Sequence, residues 1–74
     1  MNASRNIREH MEVVGSDGGH VGTVDHLDGP ARIKLTRDDS VDGMHHFIPT
    51  DWVDHVDQHV HLNKPADEVI GDFR

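Results

Sequence analysis

Apolar residues in this chain recur in short runs with a period of two, and glycine or proline interrupts each run. Residues 31–36 alternate most cleanly, with Ile33 and Leu35 on one face and Arg32 and Lys34 on the other. Such alternation is typical of strands that bury one face and leave the other in water. The pattern therefore predicts a β-sheet protein, and a chain of 74 residues has room for one such domain.

The predicted strands follow one another at roughly ten-residue spacing, as in small sandwiches and barrels. They cover residues 11–15, 20–28, 31–36, 45–49, 53–57 and 59–62. Asp17-Gly18 marks the first hairpin turn, because glycine adopts positive φ at no steric cost. Within the second strand the alternation breaks, which predicts a bulge or tight bend at Gly22.

Six short strands and glycine turns predict an all-β fold, a small β-barrel of five or six strands with a short C-terminal helix over residues 64–74. We expect one domain over residues 1–74, with residues 1–5 flexible. Trp52 is expected to be largely buried beneath the barrel. The predicted core comprises the inward positions of the strands: Met11, Val13, Val21, Val24, Leu27, Ile33, Leu35, Phe47, Ile48, Trp52, Val53, Val56, Val60 and Leu62.

Composition excludes several classes of function. The chain has no cysteine, so disulfides, thiol catalysis and iron–sulfur clusters are excluded. Fourteen acidic and seven basic residues give a net charge of −7, which disfavours binding to nucleic acid and to anionic membranes. No apolar stretch is long enough to span a membrane, and residues 1–10 lack a secretory apolar core, so we expect a cytoplasmic location.

Histidine is unusually frequent, with eight residues in the chain. His59 and His61 are two positions apart in the last predicted strand, so both point away from the face that carries Val60 and Leu62. His55 could join them from the neighbouring strand. Imidazole is the most common metal ligand in proteins, so this trio is a candidate site for nickel, copper or zinc. The alternative is that these histidines are solvated positions on the outer face of the sheet.

The remaining motifs indicate no catalytic residue. They also indicate no cofactor beyond the divalent metal considered for the three histidines. Ser16 and Ser40 have no visible base and orienting acid, so a hydrolytic triad is unsupported. The acidic residues 38–43 depart from the spacing of an EF-hand loop, and we interpret them as a solvated loop. The glycines at 18, 19 and 22 precede no predicted helix and are not a dinucleotide fingerprint.

Several segments together resemble a family of small bacterial proteins of unknown function. They are HMEVVGSDGGHVGTVD, IKLTRDD, HHFIPTDWVDHVD and VHLNKPADE, within residues 5–70. That family is usually grouped with the PRC-barrel-like, SH3-like β-barrels, a link that rests here on residues 13–18 and 21–24. The resemblance implies a barrel fold and a protein that docks onto other proteins without catalysing a reaction. It supplies no catalytic residues.

We therefore expect a non-enzymatic protein-binding or assembly module. Its partner would be another protein or a second copy of the chain, with a homodimer favoured because interface burial would help stabilise so small a domain. A histidine-based metal-binding protein is the alternative. A small enzyme with an Asp/His pair at a barrel mouth is a weaker alternative, since so small a barrel can scarcely contain a deep pocket.

Overall fold

A computed structural model describes residues 6–29, 31–37 and 43–73, and within them the chain forms six strands and a short helix. The strands are β1 (Glu12–Val14), β2 (His20–Leu27), β3 (Arg32–Leu35), β4 (His46–Pro49), β5 (Val53–Val56) and β6 (Val60–Leu62). A 3₁₀ turn, Thr50–Trp52, joins β4 to β5, and the helix α1 spans Ala66–Gly71. Each predicted strand is present in shortened form. The expectations for residues 1–5 and 38–42 lie outside the described residues.

The strands form one mixed sheet in the order β4-β3-β2-β1-β6-β5. β1 and β6 pair in parallel, and every other neighbouring pair is antiparallel. Across the described residues the hydrogen-bonded ladder stays open, with β4 and β5 at its edges, so the closed barrel expected from sequence is not formed by strand pairing. The 3₁₀ turn alone separates the two edge strands, so the sheet curls and brings its edges together at that corner.

Strand β2 bends because its pairing with β1 is irregular. The register passes from Val13↔Gly22 to Val14↔His20, which leaves Val21 as an extra residue on β2. The irregularity predicted at Gly22 therefore falls at its immediate neighbour.

The predicted hairpin turn before β2 is confirmed, since Gly18 has a φ of 82°. A second shift lies further along β2, where Asp25 is the extra residue opposite β3. Two such irregularities let β2 pair with β1 in one half of the sheet and with β3 in the other.

The core lies on one face of the sheet and combines every strand except β5 with α1 and the segment before β1. Trp52 is buried, as predicted, and Lys64 Nζ lies 4.5 Å from the centre of its ring. Met11, Val53 and Val56 are only partly buried against the core. The buried cluster is Ile7, Val13, Val21, Val24, Ile33, Leu35, Ile48, Trp52, Val60, Leu62, Ala66 and Val69.

Two predicted core positions are wrong. Leu27 is the last residue of β2 and is 37% exposed. Phe47 pairs with Lys34 across β3 and β4, and directly paired residues share a face. Since its neighbour Ile48 is fully buried, Phe47 must point to the outer face, where it is half-buried.

Helix α1 packs against the β1–β2 hairpin. A Cβ atom at Gly15 would lie 2.3 Å from the backbone nitrogen of Ala66, so the two backbones meet where only glycine fits. Asp17 Oδ1 accepts hydrogen bonds from the N–H groups of Gly19 at 3.0 Å and Ala66 at 3.3 Å. These bonds lower the pKa of Asp17 below its usual 3.8, with the Gly19 bond contributing most.

The chain beyond α1 also contacts the sheet. Phe73 stacks on His46 of β4, with ring centres 4.2 Å apart, and packs against the core. No helix in the described part of the chain is both long and apolar enough to cross a membrane.

Candidate functional site

His55 and His61 lie side by side on the outer face of the sheet. Val60 and Leu62 point into the core, so His61 between them points outward. The register pairs His61 with Val14 of β1 and with His55 of β5. Directly paired residues share a face, and the two imidazole rings stack with centres 4.2 Å apart and planes 9° from parallel.

A bulge in β5 produces this pairing. The register passes from Val53↔Leu62 to His55↔His61, so Asp54 is the extra residue. With regular pairing, Asp54 would lie opposite His61, and His55 would lie one position further along. The bulge instead leaves Asp54 as the extra residue and brings His55 opposite His61. Asp54 Oδ2 lies 2.8 Å from Nδ1 of His55.

Asp57, in the turn between β5 and β6, completes the group. Its Oδ1 accepts a hydrogen bond from the backbone N–H of His59 at 2.9 Å and lies 2.8 Å from Nε2 of His61. These two contacts lower the pKa of Asp57 from its usual 3.8, the backbone bond contributing most. His55, Asp57 and His61 each offer one ligand atom, and these atoms lie within 4.8 Å of one another.

His59, the third histidine of the predicted site, belongs to a neighbouring group. Its Nε2 lies 3.2 Å from Oε1 of Glu12, and the other oxygen of that carboxylate lies 2.8 Å from Nδ1 of His20. The His59 ring stands nearly perpendicular to that of His61, with centres 6.1 Å apart. The structure thus gathers two of the three predicted residues, His55 and His61, and places Asp57 beside them.

Sequence reasoning placed Asp57 only at the end of the strand predicted over residues 53–57, next to the tight connection to the last strand. A signal for its role was present, because an aspartate in a tight turn commonly bonds the backbone N–H two residues on. That bond directs the Asp57 carboxylate towards β6. We call the part of the outer face formed by these two neighbouring groups the histidine patch. It comprises Glu12, His20, His55, Asp57, His59 and His61.

A second surface feature lies at the other edge of the sheet, where β3 and β4 meet the 3₁₀ turn. It is a shallow groove of about 500 Å³, here called the edge groove. The Arg32 guanidinium lies 4.8 Å from the centre of the Phe47 ring and pairs with Asp28. The lining residues are Ala31, Arg32, Phe47, Ile48, Pro49, Asp51 and Trp52.

Comparison with known protein families gives a match. A family model described as "Uncharacterized protein conserved in bacteria (DUF2171)" matches residues 7–70, from the buried Ile7 to the interior of α1. No curated protein and no solved structure matches the chain. The match covers all six strands, and therefore both the histidine patch and the edge groove.

Proposed function

Because the chain belongs to this family of uncharacterised bacterial proteins, we propose that it is a non-enzymatic protein-binding or assembly module with a PRC-barrel-like, SH3-like fold. Support for the barrel grouping comes from the curled sheet, whose edge strands β4 and β5 are consecutive in the chain. Further support comes from the C-terminal helix packed on the first hairpin. Proteins of that group generally act by docking, which fits a module that associates through its surface.

The edge groove is the observation that carries this proposal. Phe47, Pro49 and Trp52 are among the residues that line it, and Phe47 lies half-buried on the outer face instead of in the core. Aromatic side chains in partly covered apolar hollows are the residues that most often dominate the binding free energy of protein interfaces. The groove therefore offers an anchoring surface for a protein partner.

A second copy of this chain is the partner that the groove fits. Arg32 and Asp51 both line it. If Arg32 of one copy faces Asp51 of the other across a two-fold axis through the groove, the same ion pair forms twice. Two chains of net charge −7 repel each other at a distance, so a stable dimer needs opposite charges paired in this way at the contact.

Contact in this homodimer is made through side chains and not by joining strand edges. Thr50 N–H donates to the Ala31 carbonyl at 2.9 Å, and the alternation of the antiparallel ladder then turns the nitrogen of Pro49 towards the free edge of β4. Proline has no N–H to donate, so this edge is a poor template for adding another strand.

Light scattering coupled to gel filtration tests the homodimer through a charge exchange. We expect the parent to be dimeric, and Arg32→Glu and Asp51→Arg to be monomeric because like charges then face each other. The double variant R32E/D51R should recover the dimer. Arg8→Glu, an exposed charge reversal outside the groove, is the control and should remain dimeric.

Circular dichroism of each variant establishes that it is folded, since Arg32 also pairs with Asp28. A parent that is monomeric up to its solubility limit would overturn the proposal. So would a folded double variant that stays monomeric. The proposal retains the cytoplasmic location expected from sequence, and the net charge of −7 argues against nucleic-acid and membrane partners.

A further inference from the structure

Beyond self-association, we propose that His55, Asp57 and His61 form a binding site for a divalent transition-metal ion, with Zn²⁺ as the probe. Two imidazoles and one carboxylate match the donor set of zinc sites that keep their fourth position for water or another ligand. Of the described residues, these three are the group whose ligand atoms lie close enough together, within 4.8 Å.

The distances require only small movements of side chains. Two ligand atoms bound at about 2.1 Å to a tetrahedral ion are about 3.4 Å apart. His61 Nε2 and Asp57 Oδ1, now 2.8 Å apart, need to separate by about 0.6 Å on that geometry. The widest separation in the group, at most 4.8 Å, needs to close by about 1.4 Å. Rotation about side-chain torsions covers both changes.

The ring stack must open when the ion binds. The lone pair of an imidazole nitrogen lies in the plane of the ring, so two nearly parallel rings with centres 4.2 Å apart cannot both direct a lone pair at one ion. One ring has to turn about χ2, a torsion with a broad energy minimum in histidine. His55 is the ring with more freedom, because its side chain is 56% exposed against 28% for His61.

Neighbouring groups contact two of the three ligands, and the exposed Asp54 side chain has to follow the His55 ring when that ring turns. Asp54 Oδ2 lies 2.8 Å from Nδ1 of His55, the arrangement in which a carboxylate holds the ring proton and leaves Nε2 free for a metal. The N–H of His59 holds the Asp57 carboxylate at 2.9 Å. The β5 bulge that creates the His55–His61 pair also places Asp54 for this supporting contact.

Isothermal titration of Zn²⁺ into protein freed of its purification tag and treated with a chelator tests the site. We expect one ion bound per chain. His61→Gln, His55→Gln and Asp57→Asn should each weaken binding by at least about tenfold, since loss of even a supporting residue usually costs that much. Asp57→Asn keeps an oxygen that can accept from the His59 N–H, so the turn is retained.

His59→Gln is the matched control, because it removes an imidazole from the same patch but outside the proposed ligand set. It should bind Zn²⁺ within about twofold of the parent. Nitrogen-15 NMR of the imidazoles should show shifts for His55 and His61 on adding Zn²⁺ and none for His20. Absence of binding by the parent overturns the site. Equal losses for His59→Gln and His61→Gln also overturn it, since the patch would then bind metal without a defined ligand set.

Discussion

Replacing Gly15 by alanine should separate the helix from the hairpin. The added Cβ would lie 2.3 Å from Ala66 N, 2.8 Å from Ala66 Cα and 2.9 Å from Pro65 C. Ordinary contact begins at 3.4 Å, and all three of these atoms are backbone. They cannot rotate away as a side chain would, so the hairpin and α1 must move apart by about 1 Å for contact of normal length.

Two extreme responses to the added methyl group give the expected free-energy cost. Overpacking a tight contact costs typically about 1–3 kcal/mol of unfolding free energy. Complete release of the helix would remove the burial of Val69, worth about 1.5–3 kcal/mol, together with the smaller contribution of Ala66. We therefore expect Gly15→Ala to lower the free energy of unfolding by about 3 kcal/mol. At about 0.05–0.15 kcal/mol per residue, the free energy of unfolding of the whole domain is about 4–11 kcal/mol.

Urea unfolding followed by circular dichroism measures this loss. Gly71→Ala is the matched control, since a Cβ there would meet nothing within 4 Å and the residue belongs to the same helix. That variant should be neutral or up to about 1 kcal/mol more stable, because alanine favours helix over glycine. If Gly15→Ala unfolds at the same urea concentration as the parent, the close backbone contact is not present in solution.

Two further predictions concern the core and the hairpin. Trp52→Ala should lower the free energy of unfolding by about 3–5 kcal/mol in the same assay, since it empties a buried site; an unchanged urea midpoint would contradict the anchoring role. Asp17 has a folded pKa below its usual 3.8, so its stabilising effect is full above pH 3.8 and is lost as pH falls through the folded value. The difference in the free energy of unfolding between the parent and Asp17→Asn should therefore decrease only below pH 3.8. A difference that does not change with pH would contradict this prediction.

The strands could be predicted because alternation is a local property of the sequence. The segment Arg32–Leu35 is the clearest case, with Ile33 and Leu35 buried as predicted. The prediction that Phe47 is a core residue was wrong because Phe47 is adjacent to Ile48, and a strand cannot bury two successive side chains on one face. Choosing between them required the register with β3, which no local pattern contains.

The candidate site depended more on long-range structure. Alternation correctly placed His61 outward, but the partner of His61 depends on the extra residue in β5. Asp54 and His55 are both polar, so either register leaves an acceptable outer face and hydropathy cannot distinguish them. The burial of Ile7 and Val69 was missed for a similar reason, since both come from short segments whose periodicity is too brief to indicate a face.

The parallel pairing of β1 with β6 determines how late in its synthesis the chain can fold. Val13 pairs with Val60, so the middle of the sheet joins the first strand to the last. Contacts between residues so distant in sequence slow folding, because the entropy of closing the intervening loop is lost before the contacts stabilise the structure. On the ribosome, β1 would have β2 on one side and an open edge on the other until β6 emerged. Nascent chains ending before residue 60 should therefore remain sensitive to proteases, and protection should arise in one step once the last strand and α1 are available.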